Sequence, residues 1–266
     1  GVSDFFLFEK FGETVFTVSA RFKEGKLTNL RTVPMKILFD DMKSCIAAGI
    51  ASFYGNVTPP EKLGILPDLL SQKEMCAVTD IEIRKISRIP KSIAKILKAN
   101  LDQGVENYAK NNEKNDLFLS ELSKFTGGDI SSIVCLDIST FAGKDTVAGA
   151  IWWEDGKFVK KNYRKFKIKT IEGVDDFGSL AEVARRLKRN WDEGKFPKPS
   201  LLLIDGGKGQ ISAVAEVLGA EFTISGIVKD RKKKKGREIL INSLGEERTV
   251  LDSFFDLKIK SIRDES

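Results

Sequence analysis

The sequence has few cysteines, no histidine and no long apolar segment. Cys45, Cys76 and Cys135 are widely spaced and form no paired motif, which argues against a zinc site and a disulfide framework. No apolar run approaches the roughly 18 residues of a membrane span, and the N-terminus lacks a signal-peptide pattern. We therefore expect a cytoplasmic protein without a membrane partner.

Positive charge exceeds negative charge along the chain. The formal net charge is +6 and the isoelectric point is about 9.0, which favours a polyanionic partner such as nucleic acid. The excess is concentrated in residues 229–237, where seven of nine residues are lysine or arginine. Lys229, Arg231 and Lys232 are candidate contacts to a DNA backbone, although such a run is also typical of a solvated hairpin loop.

Two apolar runs each end on an aspartate. Ile133–Leu136 is followed by Asp137, and Leu201–Ile204 is followed by Asp205. Short apolar runs bounded by turn residues are typical of buried strands. Carboxylate oxygens at two strand ends could share Mg²⁺, the ion that supports in-line phosphodiester hydrolysis. The alternative is that both aspartates only form turns or helix caps.

The elements around the two acids follow the order β-β-β-α-β-α-β. Residues 146–153 and 157–168 continue a meander, a helix begins near Asp175, and a second helix and a strand follow Asp205. This order predicts an α/β fold of the ribonuclease-H-like type, a mixed sheet flanked by helices. In that fold the first strand and the strand after the first helix are neighbours, so Asp137 and Asp205 should lie side by side.

Four short motifs stand at characteristic places in the sequence: Leu136–Ser139, Val174–Phe177, Leu203–Gln210 and Ile262–Ser266. Together they resemble the motifs of the UvrC family, whose members are the incision subunits of bacterial nucleotide excision repair. The Asp-Gly-Gly-Lys-Gly-Gln block in the third motif is specific at its spacing from Asp137. The resemblance runs from about Ser131 to the end of the sequence and extends more weakly upstream.

The resemblance implies a metal-dependent endonuclease that makes the incision 5′ to a DNA lesion. It implies Asp137 and Asp205 as ligands of Mg²⁺ or Mn²⁺, and a third acid in the Asp175-Asp176 pair. Asp176 has the better spacing for that role, although an N-cap is the alternative. The implied partners are damaged double-stranded DNA and UvrB. A separate nuclease segment for the 3′ incision and a helix-hairpin-helix domain are implied outside this sequence.

One departure concerns the missing histidine. In the family a histidine directly follows the Ile-Arg-Asp-Glu-Ser motif and completes the active site, whereas this sequence ends at Ser266. We therefore expect this chain alone to cleave weakly or not at all. Asp264 or Glu265 as a substitute ligand is a less favoured explanation because the register of the motif argues against it. A non-catalytic scaffold that binds DNA or protein is the alternative function.

Lys208 lies in the glycine-rich turn after Asp205. It is a candidate contact to the scissile phosphate, or else an exposed turn residue. A turn between strand and helix also fits a nucleotide-binding site. However, the glycine spacing and the Ser/Thr that follow the lysine in a Walker loop are missing, which disfavours that alternative.

The first half repeats the element order of the second. Three strands, a helix from Leu38 to Tyr54 that begins near Asp40-Asp41, and a strand at Lys62–Leu66 indicate a tandem ribonuclease-H-like domain. The acid that matches Asp137 is missing there, so we predict an inactive domain; an unrelated α+β domain is the alternative. The predicted division is 1–110, a linker and short helix at 111–130, and 131–266, with the break at the polar stretch 110–116.

Overall fold

The computed structural model describes residues 1–37, 39–141, 145–168, 175–229, 238–250 and 253–266. The chain divides into two units, Gly1–Lys110 and Asn111–Ser266. Within these described ranges, every helix is too short or too polar to cross a bilayer.

The first unit is built on a mixed sheet, which has five strands in the described residues. In chain order these are β1 (Val2–Phe11), β2 (Thr14–Lys23), β3 (Lys26–Lys36), β4 (Lys62–Leu66) and β5 (Arg84–Lys85). The strand order is β3-β2-β1-β4-β5, with an antiparallel β1–β3 meander and with β4 and β5 parallel to β1. This is the order of a ribonuclease-H-like sheet.

Helices cover both faces of this sheet. Helices α1 (Met42–Tyr54) and α2 (Gln72–Thr79) pack on one face, where Phe6, Phe8, Ile46, Ile50, Ile65 and Met75 form the core. The other core joins Phe5, Phe16 and Val18 to Leu97 and Leu101 of the following helix. The predicted helix start near Asp40-Asp41 is confirmed, since the Asp41 side chain accepts a hydrogen bond from the Ser44 amide (2.8 Å).

Helix α3 runs without interruption from Lys91 to Thr126. The predicted linker at 110–116 is therefore wrong for this segment, which is helical throughout. Its polar residues are solvent-exposed or half-buried, as expected for the part of a helix that does not pack in a core. It contains no glycine or proline, the residues that interrupt helices most strongly. A pair between Lys110 and Glu106 (2.6 Å) at i,i+4 spacing adds modest support.

The second unit has a larger mixed sheet, with eight strands in the described part of the chain. They are β6 (Ser132–Phe141), β7 (Asp145–Glu154), β8 (Lys157–Phe158), β9 (Arg164–Lys167), β10 (Leu201–Asp205), β11 (Ile224–Lys229), β12 (Glu238–Asn242) and β13 (Glu247–Val250). The order is β13-β12-β11-β10-β6-β7-β8, and β9 also pairs with β7. The predicted third strand at 157–168 is divided by a 3₁₀ turn at Lys160–Asn162.

The centre of this sheet has the same arrangement as the first. Strand β6 is antiparallel to β7 and parallel to β10, and β11 is parallel to β10. Strands β12 and β13 extend the sheet in antiparallel fashion. The mixed α/β, ribonuclease-H-like fold predicted for the chain is thus confirmed.

Two cores enclose this second sheet. Helices α4 (Asp176–Asp192) and α5 (Lys208–Leu218) cover one face with Leu180, Val183, Leu187, Ile211 and Val214, which pack on Leu136, Leu202 and Ile204. The other face is covered by Phe118 and Leu122 of α3 and by Phe255, Ile259 and Ile262 of α6 (Phe254–Asp264). Each fully buried large apolar side chain contributes roughly 1.5–3 kcal/mol to folding.

Candidate active site

The structure makes Asp137 and Asp205 neighbours on two adjacent parallel strands. Asp205 ends β10 as predicted, but the predicted strand end at Asp137 is wrong, because β6 continues to Phe141 in its pairing with β7. The β6–β10 ladder runs from Ile133 opposite Leu201 to Leu136 opposite Ile204. The two aspartates are the next residue on each strand. Because side chains alternate along a strand, both project on the face that carries Cys135 and Leu203, the face covered by α3 and α6.

The electrostatic environment of Asp205 shows that the two acids interact. Partial burial raises the pKa of Asp205, and the negative charges of Asp137 and Glu238 raise it further. Arg263 and Lys229 oppose the rise. Asp137 itself accepts a hydrogen bond from the Ser139 hydroxyl (3.0 Å). Two neighbouring carboxylates provide hard oxygen donors that suit a cation such as Mg²⁺.

Helix α6 ends beside these acids. The hydroxyl of Ser266 lies 3.7 Å from the Cys135 sulfur, and Cys135 is two residues before Asp137 on the same strand. The Ser266 amide donates to the carbonyl of Arg263 (3.0 Å), and Tyr163 donates to Glu265 (3.0 Å). These contacts fix the end of the helix against the sheet.

A buried ion pair attaches the last turn of α6 to β12. The Arg263 guanidinium donates to the Glu238 carboxylate, and only 14% and 7% of the two side chains are exposed. The other Glu238 oxygen, Oε2, has no hydrogen-bond partner within the described residues. Burial alone would lower the pKa of Arg263, but its bonds to Asp264 and Glu238 raise it. Sequence reasoning missed this pair because nothing in the sequence pattern links its two members.

The two candidate acids at the start of α4 have different roles. Asp175 is the N-cap, and its side chain accepts a hydrogen bond from the Gly178 amide (3.0 Å). Asp176 is the first helical residue and is exposed. The described ranges contain no group of three or more His, Cys, Asp or Glu side chains able to hold a metal. The catalytic role predicted for Asp176 and the metal roles predicted for Asp137 and Asp205 therefore stay predictions.

The turn after Asp205 is tightly packed. The Gly206 amide donates to Ile227 (3.0 Å), and the Gly207 amide donates to the Gln210 side chain (2.7 Å). A Cβ atom at Gly226 of β11 would lie 2.3 Å from the Gly206 carbonyl oxygen, so the neighbouring strand needs glycine there. The path of the chain directly after Asp205 is thus fixed by the next strand.

The candidate DNA contacts are partly described. Lys208 is exposed and forms an ion pair with Glu247 (2.9 Å), and Lys229 is exposed at the end of β11. Arg231 and Lys232, with the rest of the basic run to residue 237, lie outside the described residues. Contact of any of these four with DNA remains a prediction.

Comparison with known proteins identifies this unit. A family model described as the UvrC RNAse H endonuclease domain matches residues 125–266. The chain belongs to the UvrC family. The matched residues include both acids, the glycine-rich turn and α6.

Individual relatives extend the likeness upstream. The chain is 32% identical to the UvrABC system protein C of Clostridium perfringens over 254 residues, which cover 83% of this chain and 41% of that protein. It is 44% identical to the Solibacter usitatus protein of the same name over 144 residues, 51% and 22% of the two chains. The chain thus spans about two-fifths of the length of the Clostridium relative.

Solved structures give a weaker likeness. The crystal structure of human endonuclease V is similar at 11% identity, with a TM-score of 0.36, over 52% of this chain and 77% of that one. A TM-score this low supports no argument about the site.

The first unit of this UvrC-family chain has apolar residues where the second has acids. In the β1–β4 ladder the last pair is Leu7 opposite Leu66. Leu66 ends β4 as Asp205 ends β10, and Leu7 packs against the core under α3, as Cys135 does near Asp137. No carboxylate therefore stands at either of these strand positions.

Proposed function

We propose that the second unit is a metal-dependent DNA endonuclease that makes the 5′ incision in nucleotide excision repair. The observation that carries the proposal is the placement of Asp137 and Asp205 directly after the last paired residues of the parallel β6–β10 ladder, on the same face of the sheet. The membership of the chain in a family defined by an endonuclease domain supports the reaction class. The negative charge of Asp137 is one of the causes that raise the pKa of Asp205, and this supports a site built from both carboxylates.

Asp137 and Asp205 would hold Mg²⁺ or Mn²⁺, because both present hard oxygen donors at one sheet end. Such an ion, when bound, activates water and stabilises the leaving oxygen of an in-line displacement. Asp176 is the third acid of the proposal, and it is exposed at the start of α4. The Ser139 hydroxyl orients one oxygen of Asp137.

The histidine of the family belongs to the same proposal. It directly follows the motif that ends here at Ser266. The contact of Ser266 with Cys135 would bring that next residue to the sheet end where the acids stand.

The substrate is damaged double-stranded DNA, and the partner protein is UvrB. Lys208 and Lys229 stand at the ends of elements that flank Asp205, and Arg231 and Lys232 follow in the basic run. Lysine and arginine at these places would neutralise backbone phosphates and position the duplex without reading its sequence. A cytoplasmic location belongs to the same proposal. The first unit has Leu7 and Leu66 at the positions of the two acids, and it would have no catalytic activity.

The test is a nicking assay with the complete protein, UvrB, Mg²⁺ and a lesion-containing duplex, in which the 5′ and 3′ nicks are resolved. Asp137→Ala and Asp205→Ala should each reduce the 5′ nick by about 100-fold or more, since a metal supplies several kcal/mol of transition-state stabilisation. The exposed loop residue Asp129 provides the matched control, Asp129→Ala. The 3′ nick should persist in all three variants.

An unchanged 5′ nick in Asp205→Ala would remove the proposal. Tight DNA binding with no 5′ nick in the unmodified complete protein would favour the scaffold alternative instead. The two results differ, because the first retains nicking and the second never shows it.

A further inference from the structure

Phe177 is an exposed aromatic side chain beside the candidate active site. It is the second residue of α4, directly after Asp176, and 54% of it is exposed. Its position continues the apolar stripe of the helix through Leu180 and Ala184, both of which are buried. A residue on that stripe would normally be covered by the sheet. Phe177 is exposed because it stands in the first turn of the helix.

The ring is held against the turn that follows Asp205. A Cβ atom added to Gly209 would lie 2.6 Å from Cε1 and 3.2 Å from Cζ of Phe177. Gly209 is in the first turn of α5, which begins three residues after Asp205. The N-terminal ends of α4 and α5 therefore meet near the end of β10, where Asp205 stands, although the acid side chains project toward the opposite face of the sheet. One edge of the ring lies close to the glycine, and about half of the residue is open to solvent.

The surroundings of the ring are polar and partly cationic. Lys208 precedes Gly209, and the N-terminal ends of two helices add partial positive charge. The Asp175 carboxylate is already engaged as the α4 cap. No other large apolar side chain of α4 or α5, both fully described, is exposed. A single aromatic ring in this setting does not form the contiguous apolar patch of a protein interface.

We infer that Phe177 stacks against one base of the DNA strand bound at the acids, where that strand passes the end of β10. Aromatic rings bind unstacked bases of any sequence, and the adjacent cations hold the backbone. Lys208 and Phe177 then act together, one on phosphate and the other on a base. The inference rests on the proposed endonuclease function and names the substrate group that this part of the site recognises.

The experiment is a double-mutant cycle between the protein and the DNA. Binding of the complete protein with UvrB is measured without divalent metal, on lesion duplexes in which single nucleotides around the 5′ incision site are made abasic. With Phe177 present, one abasic position should weaken binding by about 5- to 150-fold, the range for loss of one stacked base. With Phe177→Ala or Phe177→Leu, the same abasic position should have no further effect. Phe177→Tyr should restore the dependence.

A second variant separates stacking from folding. Gly209→Ala pushes the ring from its place without removing it and should reduce the coupling to the abasic position. Thermal unfolding of each variant should stay close to that of the parent, since about half of the Phe177 residue is already exposed to solvent.

Two results would overturn the inference. One is equal coupling in Phe177→Leu and Phe177→Tyr, which would mean that apolar bulk suffices. The other is the absence of any abasic position that depends on Phe177. Either can occur while Asp205→Ala still abolishes the 5′ nick, so failure of the inference is distinct from failure of the proposed function.

Discussion

Arg263 in the last turn of α6 and Glu238 at the start of β12 form a buried ion pair. The pair joins a helix on one face of the sheet to a strand beside Lys229 in the β11–β12 ladder. Both charges also influence Asp205, with opposite signs. The position of α6 at the candidate active site and the charge of that site therefore depend on the same two side chains.

Glu238→Ala should lower the free energy of unfolding by about 3 kcal/mol, because it leaves a buried guanidinium without its buried partner. The double variant Glu238→Leu with Arg263→Met should recover most of this loss. Urea denaturation measures both. The matched control is Glu106→Ala, which breaks the exposed pair with Lys110 and should cost under about 0.5 kcal/mol. Equal losses at the two sites would contradict a special role of burial.

Substitutions at Asp175 should change mainly the stability of the protein, whereas substitution of Asp176 should change mainly its activity. Asp175→Ala removes the N-cap of α4 and should cost about 1 kcal/mol, while Asp175→Ser, which can cap, should cost little. Asp176→Ala should leave stability nearly unchanged and reduce the 5′ nick. Thermal unfolding and the nicking assay are compared for all three. Full nicking by Asp176→Ala together with loss in both Asp175 variants would assign the third acid to Asp175.

Asp205→Asn should stabilise the metal-free protein at neutral pH. The pKa of Asp205 is raised by folding, so the folded state binds this proton more tightly than the unfolded chain. The contribution of Asp205 to stability is therefore greatest in acid and falls as the pH rises from its unfolded pKa through its raised folded pKa. The amide avoids this loss. We expect a gain of roughly 0.5 kcal/mol, since solvent partly screens a partly buried carboxylate.

The measurement is thermal unfolding with a chelator between pH 3 and pH 8. The difference between Asp205→Asn and the parent should vanish near pH 3, where the parent carboxyl is protonated as well. Asp129→Asn is the control and should show no such gain. A constant difference at every pH would mean that the substitution acts through packing and not through charge.

Glu247→Gln should strengthen DNA binding at low salt by about 2- to 5-fold. Glu247 holds Lys208 in an exposed ion pair, and a phosphate must displace it. The free lysine should also increase the salt slope of binding by up to about one. The control is Glu216→Gln. Glu216 is an exposed residue of α5, and its substitution removes the same charge without releasing Lys208. Equal effects of the two substitutions would mean that the change in net charge, and not the release of Lys208, strengthens DNA binding.

Local sequence patterns predicted the sheet centre well. The strand at Lys62–Leu66 has the predicted bounds, and Asp205 ends its strand as expected. Both strands are short apolar runs with clear turn residues, so a local reading suffices. The neighbouring placement of Asp137 and Asp205 followed from element order because few sheet topologies accommodate that order.

Other features depend on contacts that sequence patterns do not encode. The polar stretch 110–116 predicts a helix break, but polarity alone does not end a helix, and α3 continues through it to Phe118, which packs in the core of the second unit. The ion pair between Glu238 and Arg263 joins distant elements that no periodicity connects. The exposure of Phe177 depends on where its helix passes the end of the sheet.

Helix α3 determines at which residue a fragment that contains the second unit can begin. A fragment that starts at residue 125, where the family match begins, lacks Phe118 and Leu122 and would leave a hole that costs about 2–5 kcal/mol for each side chain. A start at Asn111 keeps both but opens a helix at its middle, with four amide groups unpaired. Asn111 and Asn112 are, however, of the residue type that caps helices. A fragment that begins a few residues earlier can use either one as a new first cap and keep its core intact.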